Sequence, residues 1–376
     1  MGRALKMDIS RRDLLKLGLC SGLAVFSADH LLSRLYAAPQ PLKKALYFHL
    51  SGKGNVICDL CYHSCEIPSG KAGLCRSRIN IGSELYTLTY GRPVAVHLDP
   101  IEKLPMRHVL PGESMLCIGT AGCNFSCQYC INHHVSQKSP KEVEAMYKTP
   151  EELVGMALRA KAPAVAFTYN EPTVAYELMY ETFSLAKGKG LKTFFHSNGY
   201  MKPGPLKELL KITDGVVVDL KAFSPEAYSK LTGAGDAGVK DTLRLIHAQG
   251  CFLEIVNLLV PGYNDGPEGT DAISRFVAEE LSAGVPLHFS RFFPKFRLSN
   301  LSPTPTACIT KAVGTAKQKG LSFIYTNNIM TPQNNTYCPG CGEAVVRRQG
   351  TKVPAVSLLN GKCSFCGQLV PGIWKA

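Results

Sequence analysis

The sequence predicts an α/β fold, a partial (β/α)6-type barrel with small cysteine-rich appendages at both ends. Three observations predict it. Short apolar runs alternate with segments of helical spacing from about residue 113 to 327. Eleven of the 15 cysteines fall into three tight groups, two of them outside that stretch. Hydrophobic residues make up 45% of 376, enough for one large domain or two to three smaller ones.

The elements follow in order. "SRRDLLKLGLCSGLAVFSA" (10–28) opens on Arg11 and Arg12 and runs on apolar apart from Lys16. It resembles a twin-arginine export signal, which is read as an address. The run is too short for an ordinary transmembrane helix. "LYAAP" is its best cleavage candidate. The alternative is an amphipathic helix that stays on the protein or lies on a membrane, so residues 1–41 are a signal or an N-terminal helix. Residues 42–112 form a leading domain with the first cysteine group and a hairpin-like stretch, "INIGSELYTLTYGRPVAVHL".

Within 113–327, buried strands are predicted at 115–120, 164–169, 192–197, 215–221, 252–260, 287–293 and 321–326. Helices are predicted at 149–162, 173–190, 203–212, 238–249, 268–282 and 305–319. The first helix starts on a Thr-Pro-Glu-Glu capping signature. Strand–helix alternation means βαβ units and a parallel sheet. An open doubly wound sheet is the competing architecture. Residues 328–376 are a small tail of turn formers and short strands.

The net charge of +13 is spread along the chain, without a run of five or more Lys/Arg. No nucleic-acid-binding tail is indicated. A basic surface suits anionic ligands or a membrane face. Cys20, Cys117, Cys251 and Cys308 stand alone among apolar neighbours and read as small buried hydrophobes.

The grouped cysteines read as metal ligands, because their gaps are short and the chain is long. Cys338-x2-Cys341 and Cys363-x2-Cys366 are two knuckles that describe a closed tetrahedral zinc site; a rubredoxin-like iron site has nearly the same geometry. Cys58, Cys61, Cys65 and Cys75 suit zinc or a second iron–sulfur cluster, with His63 able to replace one cysteine. Cys123, Cys127 and Cys130 offer only three thiolates, in the loop after the first predicted barrel strand. Three thiolates on a four-iron cubane leave one iron open to a small molecule. In a parallel barrel such loops build the active site.

Cys-x3-Cys-x2-Cys after the first strand, with Tyr129 before the last cysteine, resembles the radical S-adenosylmethionine (radical SAM) enzymes. "TYNEP" (168–172) stands where the family has its Gly-Gly-Glu-Pro-type motif, with Tyr169 and Asn170 replacing the glycines. "HSNGY" (196–200), "VDLKAFSPEAYSKLTGA" (218–234) and "EIVNLLVPGYND" (254–265) follow on successive strands. The chain is most similar to the branch with pyruvate formate-lyase activating enzymes. "CDLCYHSCEIPSGKAGLC" (58–75) and "HFSRFFP" (288–294) resemble the radical SAM member of the AmmeMemoRadiSam system, named for association with AMMECR1-like and Memo-like proteins.

The resemblance implies a TIM-like barrel, a [4Fe–4S] cluster on the triplet, and S-adenosylmethionine. It implies reductive cleavage of that molecule to a 5′-deoxyadenosyl radical, a one-electron reductant protein, and an unidentified substrate. Glu171 would accept from the methionine ammonium and Lys221 would pair with its carboxylate. Ser197 and Asn198 would meet the ribose hydroxyls and Tyr129 the adenine; Asn170 and Asp219 complete the expected set. Asp219 and Lys221 flank Leu220 and point to one side of the strand. Two other readings stand beside this one: an activating enzyme that installs a glycyl radical on a partner protein, and a non-catalytic iron–sulfur or zinc scaffold or electron carrier. The twin-arginine-like start suggests export or membrane association, whereas S-adenosylmethionine chemistry suggests the cytoplasmic side.

Overall fold

The computed structural model describes residues 42–375. The twin-arginine-like segment lies outside the described residues. Among those residues, no helix is long and apolar enough to cross a membrane.

One eight-stranded sheet organises the chain. Its strands are β1 (Ala95–Pro100), β2 (Ser114–Gly119), β3 (Ala164–Phe167), β4 (Lys192–Ser197), β5 (Gly215–Asp219), β6 (Phe252–Leu259), β7 (Leu287–Arg291) and β8 (Ile324–Asn327). They lie side by side in sequence order. Strands β2 to β8 are parallel, and β1 pairs antiparallel with β2. The two ends of this order, β1 and β8, do not pair, so the sheet is a partial barrel rather than a closed one.

Helices cover the outer face: α1 (Pro150–Arg159), α2 (Tyr176–Gly188), α3 (Pro203–Leu210), α4 (Pro225–Thr232), α5 (Ala237–Ala248), α6 (Pro267–Phe276) and α7 (Thr306–Gln318). The α1 start has the capping box its sequence announces: Thr149 accepts from the Glu152 amide, and the Glu152 carboxylate accepts from the Thr149 amide. Helix α4 has its own N-cap, Ser224, and ends on left-handed Gly233.

The concave face of the sheet is lined by Met115, Cys117, Ala164, Ala166, Phe194, Val217 and Val256. Their period-2 spacing sends alternate residues to the outer core under the helices. The chain between β1 and β2 fills the same space with Ile101, Leu104, Met106, Val109 and Leu110. Pro100 pairs with Ser114, so this plug enters at the N-terminal ends of the parallel strands. Among the described residues the barrel is therefore stoppered below, and its C-terminal mouth is left open.

Buried charge fixes the plug. The Glu254 carboxylate accepts from the Arg107 and His108 amides at 2.9–3.0 Å and faces His288 Nε2 at 2.7 Å. The tail docks here: Arg348 pairs with Glu102 at 3.4 Å and donates to the Arg107 carbonyl at 2.5 Å. The leading residues form two three-stranded antiparallel sheets. Arg78 ties them to α2 through a fully buried ion pair with Glu177.

Candidate active site

Strand β2 runs into the triplet loop at the barrel mouth. The loop is held by the Gly122 amide donating to Val135, and by the Ser126 and Gln128 amides donating to the last carbonyls of α4 at 2.9 Å. Cys127 is buried; Cys123 and Cys130 are half-buried. Gly122 has φ +90°, and a Cβ there would lie 2.0 Å from Ser77 Oγ and 2.6 Å from the Cys75 carbonyl. Only glycine admits so close an approach.

Burial, with Glu171 second, pushes the Cys123 thiol well up; burial pushes Cys127 up to about 11 despite nearby Lys221. Such thiols become thiolates only when a cation compensates them, which is what a metal centre supplies. Three thiols close enough to perturb one another, beside a cation, fit a three-cysteine cluster with one open iron.

The residues expected around it divide into two sets. Asp219, Lys221 and Tyr129 gather beside Cys127. Lys221 Nζ lies 2.6 Å from Asp219 and 5.9 Å from the centre of the Tyr129 ring. Burial opposes the charge on both partners, yet Asp219 holds Lys221 well above its usual range, and His196 with Lys221 holds Asp219 below its own. The Tyr129 hydroxyl is buried and finds no hydrogen-bond partner among the described residues. His196 Nε2 sits 3.0 Å from Asp219, poorly aligned for a hydrogen bond. Sequence reasoning passed over His196. Its signal was register: it follows Phe194 by two on β4 and so faces inward at the strand's upper end.

Glu171, Ser197, Asn198 and Asn170 form the second set, a web behind Cys123. Glu171 is buried. Oε1 accepts from the Thr173 amide at 3.0 Å, the Thr173 hydroxyl at 2.6 Å and Ser197 at 2.7 Å; Oε2 accepts from the Asn198 amide at 2.7 Å. A carboxylate has about four acceptor sites. Three donors crowd Oε1, so an ammonium would meet Oε2, which takes only the Asn198 amide. Asn198 donates to Asn124 at 2.7 Å, and Asn170 bridges the Thr120 amide and the Gly122 carbonyl. Tyr169 keeps a glycine-like φ of 72° where the family pattern has glycine.

A family model described as the Radical SAM superfamily matches residues 117–271, from β2 into α6. An uncharacterized protein of Methanocaldococcus jannaschii is 35% identical over 332 residues, covering 88% of this chain and 99% of the relative. The chain belongs to the radical SAM superfamily. More distant relatives are a pyruvate formate-lyase-activating enzyme of Clostridium pasteurianum (29% identity, 42% of this chain, 66% of the relative) and the pyruvate formate-lyase 1-activating enzyme of Escherichia coli (22%, 54% and 89%). A solved radical SAM methyltransferase from Sphaerobacter thermophilus aligns with TM-score 0.47 and 13% identity, over 64% of this chain and 78% of that one.

Membership in the radical SAM superfamily implies a [4Fe–4S] cluster and S-adenosylmethionine, and the triplet with its neighbouring cation suits both. The tail carries a different kind of site. Cys338 and Cys366 sulfurs lie 3.5 Å apart, those of Cys341 and Cys363 3.7 Å apart, and all four lie within 4.8 Å of one another. A tetrahedron with bonds of about 2.3 Å has edges of roughly 3.8 Å, so the quartet is sized for a single ion.

Proposed function

We propose that this radical SAM chain holds a [4Fe–4S] cluster on Cys123, Cys127 and Cys130 and cleaves S-adenosylmethionine reductively, with electrons from a one-electron reductant protein. The observation that carries this reading is the placement of the triplet at the C-terminal mouth of the stoppered barrel, with Lys221 beside Cys127. A cluster held there would supply the single electron needed to split S-adenosylmethionine into methionine and a 5′-deoxyadenosyl radical. Lys221, held charged by Asp219, pairs with the methionine carboxylate, and the Tyr129 hydroxyl gives a second donor on that side. His196 stands beside Asp219 and favours its ionised form. The Glu171 web braces the triplet loop through Asn198 and Asn124. The plug excludes water from below. The tail quartet binds zinc and folds a segment too small to bury a core alone.

The curated relatives support a narrower reading, installation of a glycyl radical on a partner protein; AMMECR1-like and Memo-like proteins are the partners the leading motif suggests. Anaerobic reconstitution with iron and sulfide, then reduction with S-adenosylmethionine, tests the common core. 5′-Deoxyadenosine should be released by the native chain and not by Cys127→Ala. A Cys127→Ala chain that still releases it would end the proposal.

A further inference from the structure

The leading cysteines are not a zinc knuckle. Among the described residues, only the tail quartet brings its ligand atoms within 4.8 Å of one another. Cys58, Cys61, Cys65 and Cys75 instead line a small cavity of about 20 Å³, with Leu60, Ile67 and Val174 in its wall. A single ion with bonds of about 2.3 Å cannot reach sulfurs that do not all lie within 4.8 Å of one another. A cubane can, because each sulfur meets a different iron.

The cavity wall is built for acceptors. Arg78 is fully buried, donates to Cys58 Sγ at 3.6 Å, and leaves its Nε without a partner. Asn124 leaves its Nδ2 without one as well. Both residues line the cavity, and two orphaned buried donors there call for acceptors inside it. Inorganic sulfides of a cluster are such acceptors. Arg78 adds positive charge beside an anionic group; Glu177 balances it on the other side.

The cavity also abuts the triplet loop. Asn124, in its wall, follows Cys123 directly. His63 Nε2 lies 2.7 Å from the Asn124 carbonyl, and Ser77 Oγ donates to the Ala121 carbonyl at 3.1 Å. Cys61 pairs with Met201 beyond β4, so the motif is locked to the barrel mouth.

We propose that Cys58, Cys61, Cys65 and Cys75 bind a second [4Fe–4S] cluster, which takes one electron at a time from a low-potential protein reductant and passes it to the triplet cluster. The relay rests on the function proposed above; the binding site does not. One electron enters the second cluster and the same electron leaves it for the triplet, so its iron returns to the starting oxidation state each cycle.

The full chain reconstituted with iron and sulfide should hold about eight iron atoms and one zinc. A variant with Cys123, Cys127 and Cys130 all changed to Ala should keep about four iron atoms, with the Mössbauer signature of a [4Fe–4S] centre and an electron paramagnetic resonance signal blind to S-adenosylmethionine. This variant leaves the quartet intact, so it remains informative even if quartet variants fail to fold. Two zinc ions and no iron in it would overturn the site. For the relay, Cys61→Ser with Cys65→Ser should cleave S-adenosylmethionine at the native rate with dithionite and at least tenfold slower with a reduced ferredoxin. Equal slowing or none with both reductants would overturn the relay. Loss of cleavage in the native chain with dithionite would instead count against the proposed function and leave the iron count standing.

Discussion

Glu171→Gln separates a structural brace from a ligand contact. The native carboxylate takes four donors, all from this chain. The amide keeps an acceptor oxygen for Thr173 and Ser197, but its NH2 faces the Asn198 amide, donor against donor. Three charge-assisted bonds fall from roughly 1.5–3 to about 1 kcal/mol each, and one buried N–H loses its partner at roughly 1–3 kcal/mol. Relaxation of the web returns part of that, so the net loss is about 3 kcal/mol. The assay is urea denaturation of native and variant chains loaded to equal iron, without S-adenosylmethionine. The midpoint should fall by about 1 M at a slope of roughly 3 kcal/mol/M. Unchanged midpoints, with loss confined to S-adenosylmethionine affinity, would refute the brace and restore Glu171 as a free ligand for the ammonium.

Three further outcomes are expected. Lys221→Met should weaken S-adenosylmethionine binding at least tenfold by calorimetry, about 1.4 kcal/mol, because the carboxylate loses its cation. Gly122→Ala should cut iron retention by the triplet, since its Cβ collides with Ser77 and the Cys75 carbonyl; Ser77→Ala relieves only the first contact and should rescue little. Burial lowers His108 to about 4, and its ring sits between the Pro371 carbonyl and the Tyr325 hydroxyl, both at 2.6 Å. Its folded pKa lies below the unfolded value near 6.5, so the unfolded chain binds the extra proton between them. Its contribution, up to about 3 kcal/mol, is present above pH 6.5 and lost as pH falls toward 4. Urea midpoints from pH 7 to 5 should fall less steeply in His108→Gln.

Local periodicity made the barrel legible. The seven parallel strands sit within a few residues of their apolar runs, because buried parallel strands are continuous and β-branched. The loop that carries the triplet was legible from the strand before it, its role came from the family resemblance, and Asp219 and Lys221 sharing one side was legible from alternation. Other features were hidden because they depend on pairing between distant segments. Strand β1 lies in the predicted leading domain, yet it edges the barrel sheet; the plug after it reads as loop until Ile101 and Met106 are seen against Phe194. Helix α4 was missed because "SPEAYSKLT" is short and sits inside a stretch already read as motif. The Arg78–Glu177 pair joins residues 99 apart. Glu171 showed a carboxylate in sequence but not the four donors around it.

The most direct test of the central claim is electron–nuclear double resonance on the reduced triplet cluster with isotope-labelled S-adenosylmethionine. Hyperfine coupling from the labelled methionine nitrogen and carboxylate oxygen to the cluster is the predicted result. A cluster without such coupling, or one whose fourth iron carries a protein ligand, would contradict it.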